Sequence, residues 1–91
     1  MKLTGIAKER FLSQFCGDLP KDEIALNAYI IDFFDENGIY IEITYDKVTD
    51  NMKWCFDINS DGFDQLDYSS RPEAIESAII KANEIFNELN K

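Results

Sequence analysis

The stretch Met52-Lys53-Trp54-Cys55-Phe56-Asp57-Ile58 decides the fold that we predict for this chain. Its large apolar side chains, at Met52, Trp54, Phe56 and Ile58, alternate strictly with polar or small ones. A period of two is typical of a β-strand with one buried face and one solvated face. We therefore predict that this stretch is the middle strand of a small sheet, and that helices cover the face that carries Trp54 and Phe56.

Two further strands are predicted on either side of it. Residues 39 to 46 alternate in the same way, with three isoleucines and Tyr45 on one face, and residues 47 to 51 form a polar turn. Residues 59 to 62 read Asn-Ser-Asp-Gly, a composition that favours a tight reversal, and residues 63 to 68 form the third strand with Leu66 and Tyr68 inward. The three strands are predicted to form an antiparallel meander.

Apolar residues at helical spacing predict three helices. The first spans residues 4 to 16 with Thr4 as its N-cap, and the second begins near Pro20. The last runs from Arg71 to about residue 90, because Ser70 and Glu73 form a capping box ahead of a long apolar stripe. The predicted fold is α+β and single-domain, with two layers, helices on one face of a three-stranded meander, and the order α-α-β-β-β-α.

Residues 28 to 36 leave two interpretations open. They are rich in strand-forming residues, and Asn37-Gly38 is the dipeptide that most favours a hairpin turn. Their apolar residues do not alternate, however, and Gly38 serves equally well after the end of a helix. We favour the helix.

Composition excludes several functions. The 91 residues carry eighteen acidic and nine basic side chains, a net charge of −9, which opposes binding to nucleic acid or to an anionic membrane. Histidine is absent and the four glycines are isolated, so the sequence offers neither the most frequent catalytic base nor a phosphate-binding loop. We predict a cytoplasmic protein that is not an enzyme, needs no cofactor and binds a basic protein.

The solvated face of the sheet is the first candidate for that contact. It is predicted to be rich in carboxylates and to carry one aromatic residue, and an isoleucine on the last helix adds a second candidate position. The candidate binding residues are Tyr40, Glu42, Asp46, Asp57, Asp67 and Ile80. An alternative is a structural homodimer in which edge strand one or three pairs across a two-fold axis.

A second alternative is a domain stabilised by calcium. The segment Asp57-Ile58-Asn59-Ser60-Asp61-Gly62-Phe63 resembles the opening of an EF-hand or dockerin loop. The ligands that this resemblance implies are Asp57, Asn59 and Asp61. The chain departs from the pattern later, with Asp64 at the eighth position and Tyr68 in place of the closing carboxylate, so the main prediction is a hairpin turn without metal.

Two wider resemblances concern the second half of the chain. The order helix, three strands, helix is similar to that of a double-stranded-RNA-binding domain, but the last helix opens Arg71-Pro72-Glu73 without the basic residues that grip phosphates. Residues 69 to 79 resemble the ending of small uncharacterised phage and prophage proteins. The second resemblance implies an origin in a mobile element and no particular activity.

Overall fold

The computed structural model describes residues 1–15, 17–48, 51–59 and 68–91, with the side chains of residues 46–48 and 51–52 left out. These ranges contain helix α1 (Gly5–Gln14), helix α2 (Glu23–Glu36), strand β1 (Ile41–Val48), strand β2 (Asn51–Ile58) and helix α3 (Arg71–Leu89). The α+β class is confirmed. Residues 28 to 36 are helical, so the helical interpretation is confirmed as well.

Local signals explain where α2 and α3 begin and end. The Asp22 carboxylate accepts a hydrogen bond from the Ile24 N–H and caps α2, which begins at Glu23, three residues after Pro20. Gly38 has a φ of 82°, a left-handed conformation that stops α2 and turns the chain towards β1. At the start of α3, the Ser70 hydroxyl accepts a hydrogen bond from the Glu73 N–H, which is one of the two bonds of a capping box, and the Glu73 carboxylate accepts from the Ser69 hydroxyl (2.9 Å).

The predicted three-stranded meander is wrong. The described residues contain a two-stranded antiparallel sheet, in which Ile43 lies opposite Phe56 and Ile41 opposite Ile58. Most of the predicted third strand, residues 63 to 67, lies outside the described residues. Its last residue, Tyr68, forms only an isolated bridge with Trp54, because the chain enters the cap of α3 two residues later.

The helices cover the face of the sheet that alternation predicted. Partners in the antiparallel register share a face, so Ile41, Ile43, Phe56 and Ile58 lie on the same side, and they pack into one core with residues of all three helices. We call this side the inner face. Trp54 also lies on it but is only half-buried, and its ring stacks on Tyr45 with 4.6 Å between ring centroids.

Helix α3 is the element that contacts α1, α2 and both strands. Its small buried residues, Ala74, Ala78 and Ala82, recur every four residues along one side of the helix and are fully buried. Such a stripe allows a close approach of neighbouring backbone. Farther along the helix, Phe86 packs against Phe33 of α2 with 5.5 Å between ring centroids.

Two asparagines of α3 hold the start of α1. Thr4 is the N-cap residue, as predicted, but its side chain makes no capping bond within α1. Instead, the Asn83 carboxamide accepts from the Thr4 N–H (2.9 Å) and donates to the Thr4 hydroxyl (2.9 Å). The Asn87 carboxamide accepts from the Ala7 N–H (2.9 Å) and donates to the Thr4 carbonyl (3.0 Å). These bonds satisfy donors that a helix start leaves unpaired.

Lys2 adds an electrostatic tie between elements. Its ammonium binds the Glu23 carboxylate at the start of α2 and lies 3.6 Å from a carboxylate oxygen of Glu76 in α3. The hydrogen bond to Glu23 raises the pKa of Lys2 above its ordinary value, and the neighbouring Glu76 adds to that effect. The same hydrogen bond lowers the pKa of Glu23 below its ordinary value. The segment before α1 is therefore anchored to both other helices.

Candidate functional site

Several of the candidate binding residues lie on the face of the hairpin that is turned away from the helices. Alternation along the two strands, together with their register, assigns its members. We call it the outer face, and its described side chains are Tyr40, Glu42, Thr44, Lys53, Cys55 and Asp57. It is less solvated than the sequence predicted: Tyr40 is 57% exposed and Glu42 is exposed, whereas Cys55 and Asp57 are buried.

The difference between the two strands has a physical reason. β1 pairs along one side only within the described residues, whereas β2 has β1 on one side and Tyr68 bridged to Trp54 on the other. A strand with neighbours on both sides encloses its side chains more fully than an edge strand does. The buried side chains of the outer face, Cys55 and Asp57, lie on the strand that has a neighbour on each side.

Two carboxylates lie directly opposite each other on the outer face. Glu42 in β1 is the register partner of Asp57 in β2. Like charges that face each other across strands destabilise a sheet. Asp57 is only 8% exposed, and its Oδ1 atom is buried with no hydrogen-bond partner among the residues that the structure describes. Most buried polar atoms in folded proteins do have such a partner. Within the described residues, neither carboxylate forms an ion pair, so the negative charge of the pair is not compensated there.

Asn59 fixes the backbone beside this pair. It follows β2 with a φ of 58°, a conformation that asparagine tolerates better than most residues. Its side-chain oxygen accepts from the Tyr40 N–H (2.6 Å), and its own N–H donates to the Tyr40 carbonyl (2.9 Å). These bonds hold Tyr40 next to Glu42, where both residues line a shallow open groove at the base of the hairpin.

The other candidate binding residues do not all join this group. Asp46 lies in β1 opposite Lys53, and its side chain is not described. Asp67 lies outside the described residues. Ile80 is 48% exposed on α3, in the helical layer, and so belongs to a different surface from Tyr40 and Glu42.

The candidate calcium ligands are only partly described. Asp57 offers the unpartnered oxygen, whereas the Asn59 side-chain oxygen already accepts from the Tyr40 N–H. Asp61 lies outside the described residues. Within the ranges that the structure covers, no three acidic, cysteine or histidine side chains come together as a metal site.

Sequence reasoning missed two features of the surface and the helix packing. Asn83, a polar residue in the middle of α3, is buried beneath the start of α1. An apolar groove also runs between the first turns of α2 and α3, and its lining includes Ile24, Ala28, Ile31, Pro72 and Ile75. The available signal was the seven-residue spacing of Ile24 and Ile31, which places both on one side of a helix.

Comparison of the chain with protein-family models, with curated proteins and with solved structures gave no match. Among the described residues, no helix is both long enough and apolar enough to cross a membrane.

Proposed function

We propose that this chain is a non-catalytic protein-binding module whose outer face binds a basic partner. The observation that carries the proposal is the cross-strand pair of Glu42 and Asp57, with the buried, unpartnered oxygen of Asp57 beside the exposed carboxylate of Glu42. A lysine or arginine side chain of the partner that pairs with the exposed Glu42 carboxylate would bring a positive charge to this like-charge pair. Hydrogen bonds to charged groups contribute about 1.5–3 kcal/mol each.

The rest of the molecule supports the same partner chemistry. The net charge of −9 steers a basic partner towards the chain and makes the encounter sensitive to salt. The exposed ring of Tyr40, held beside Glu42 by Asn59, offers a flat apolar surface next to the carboxylates. Tyrosine is enriched at protein interfaces because it combines a large apolar body with a polar tip.

Matched charge substitutions test this proposal. The probe is a synthetic peptide of about eight residues in which lysine and threonine alternate, a length that spans one strand. We expect Glu42→Gln to weaken its binding roughly tenfold, because a charge-assisted hydrogen bond is lost. The measurement is the Kd by isothermal titration calorimetry.

The control for net charge is Glu9→Gln. Glu9 is exposed on α1 and makes no ion pair in the described part of the chain. The substitution removes the same charge as Glu42→Gln, but in the helical layer, away from the outer face. Salt screens electrostatic interactions beyond about 8 Å. We expect Glu9→Gln to change the Kd less than about twofold. Equal effects of the two substitutions would mean that the peptide senses only net charge, and would refute the proposed site.

Calcium binding is a second candidate that the unpartnered oxygen of Asp57 also favours. Calcium prefers carboxylate and carbonyl oxygens as ligands. Titration with Ca²⁺ alone distinguishes this candidate from the first. Heat of binding that Asp57→Asn removes would assign the oxygen to a cation, and the absence of heat at millimolar metal would exclude the calcium site.

A further inference from the structure

The outer edge of β1 presents a row of backbone groups that β2 does not use. At the base of the hairpin, the Asn59 N–H donates to the Tyr40 carbonyl, so even-numbered residues of β1 exchange hydrogen bonds with β2. The hydrogen bonds of Trp54 are consistent with this alternation, because its N–H and C=O point away from β1 and bond to Tyr68 on the other side of β2. The backbone groups of the odd-numbered residues Ile41, Ile43 and Tyr45 must therefore point away from β2.

These groups have no hydrogen-bond partner in the part of the chain that the structure describes. β1 is eight residues long and contains no proline. Natural proteins usually protect such an edge with proline, a bulge, a charged residue pointing inward or a covering segment. Three inward residues along this edge, Ile41, Ile43 and Tyr45, are apolar or aromatic, and Tyr45 is 52% exposed. The edge has the features of a strand that accepts another strand.

Charge selects the occupant. A second copy of this chain also carries a net charge of −9, so pairing two copies along β1 brings like charges together. A basic segment along β1 would instead bring opposite charges together. If it lies extended along β1, every second side chain falls on the outer face, next to Glu42.

We propose that the partner segment is an extended peptide that adds to β1 as a new strand, with lysine or arginine at alternate positions on the outer face. This inference rests on the proposed function and adds its mode of recognition. Strand addition takes its affinity from main-chain hydrogen bonds and its specificity from alternate side chains. The backbone of Ile43 and Tyr45 supplies the main-chain hydrogen bonds, and the exposed Glu42 carboxylate on the outer face supplies the side-chain specificity.

Backbone methylation tests the main-chain contribution. The alternating lysine-threonine peptide is made in two forms, one with N-methyl groups on the threonines and one with N-methyl groups on the lysines. Only alternate N–H groups of an added strand face β1, so one form should lose at least about tenfold in affinity while the other changes less than about threefold. Loss with methylated threonines reports antiparallel addition, and loss with methylated lysines reports parallel addition. Equal affinities of the two forms would overturn strand addition.

Amide hydrogen exchange supplies a residue-level readout. We expect the N–H groups of Ile43 and Tyr45 to exchange quickly in the free protein and to become protected when the unmodified peptide binds. Those of Glu42 and Thr44 should be protected throughout, because they already bond to β2. Protection of Ile43 and Tyr45 that rises with protein concentration, without peptide, would place a second copy on the edge and overturn the proposal.

The two proposals fail in different ways. If Glu42→Gln leaves peptide binding unchanged, the proposed site is wrong. If Glu42→Gln weakens binding but both methylated peptides bind alike, the site stands and strand addition alone is wrong.

Discussion

At the residue scale, the hairpin carries a destabilising group at Asp57. Its carboxylate is buried and lies opposite Glu42, and one of its oxygens has no hydrogen-bond partner within the described ranges. Binding sites commonly keep such features at a cost in stability. We therefore expect Asp57→Asn to raise the free energy of unfolding by about 1 kcal/mol, because it removes the like-charge pair and replaces a buried charge with a neutral amide. Urea denaturation measures the difference.

The matched control is Asp32→Asn, which makes the same chemical change on the exposed surface of α2. Surface substitutions of this kind usually change stability by less than about 0.5 kcal/mol. If Asp57→Asn instead destabilises the protein, the Asp57 carboxylate has a stabilising partner in the folded chain, and the argument for an external donor is lost.

At the level of single residues, the sequence predicts only part of the candidate site. Alternation correctly separated Glu42 from Ile41 and Ile43, because a strand turns successive side chains to opposite faces. It could not predict burial of Asp57, since burial depends on the neighbours of β2 on both sides. Nor could it predict that Asn83 holds the start of α1, a contact between residues 79 positions apart in the chain.

At the element scale, the helices were predictable because their signals are local. The Ser70–Glu73 capping box and the glycine after α2 lie within a few residues of the boundaries that they set. Sheet membership is not local in this way. Residues 63 to 68 carry a strand-like pattern, yet the described sheet has two strands, and Tyr68 makes a single bridge.

At the same scale, the contacts of Lys2 with Glu23 in α2 and Glu76 in α3 predict how stability depends on pH. The lowered pKa of Glu23 means that its contribution is complete above its ordinary pKa of 4.5 and is lost as the pH falls through the lowered value. The raised pKa of Lys2 means that its contribution is complete below 10.5 and is lost as the pH rises through the raised value. Lys2→Met should therefore lower stability more at neutral pH than at about pH 3.

Urea midpoints at the two pH values measure this difference, and Lys21→Met is the control. Lys21 is exposed and makes no ion pair within the described residues. Lys21→Met removes the same charge but leaves the contacts of Lys2 with Glu23 and Glu76 unchanged. A loss of stability in Lys2→Met that is the same at both pH values would show that the side chain acts through packing rather than through the carboxylates of Glu23 and Glu76.

At the scale of the whole molecule, the described elements separate two surfaces. The helices and the inner face share one apolar core, which includes Phe34, Ile39, Phe56 and Ile79. The exposed residues of the outer face, Tyr40 and Glu42, and the edge of β1 that β2 does not use lie outside that core, so a partner could reach them without unfolding any described element. This separation lets the core stabilise the domain independently of the proposed site.

The most direct test of the account is to map the binding of the lysine-threonine peptide on the protein by NMR. Backbone amide shifts are followed residue by residue as the peptide is added. The account predicts that the largest changes lie along β1 and the base of the hairpin, at Tyr40, Glu42 and Ile43, with little change along the exposed side of α3. Largest changes around Ile80 instead, or changes spread evenly over all the acidic surfaces, would contradict it.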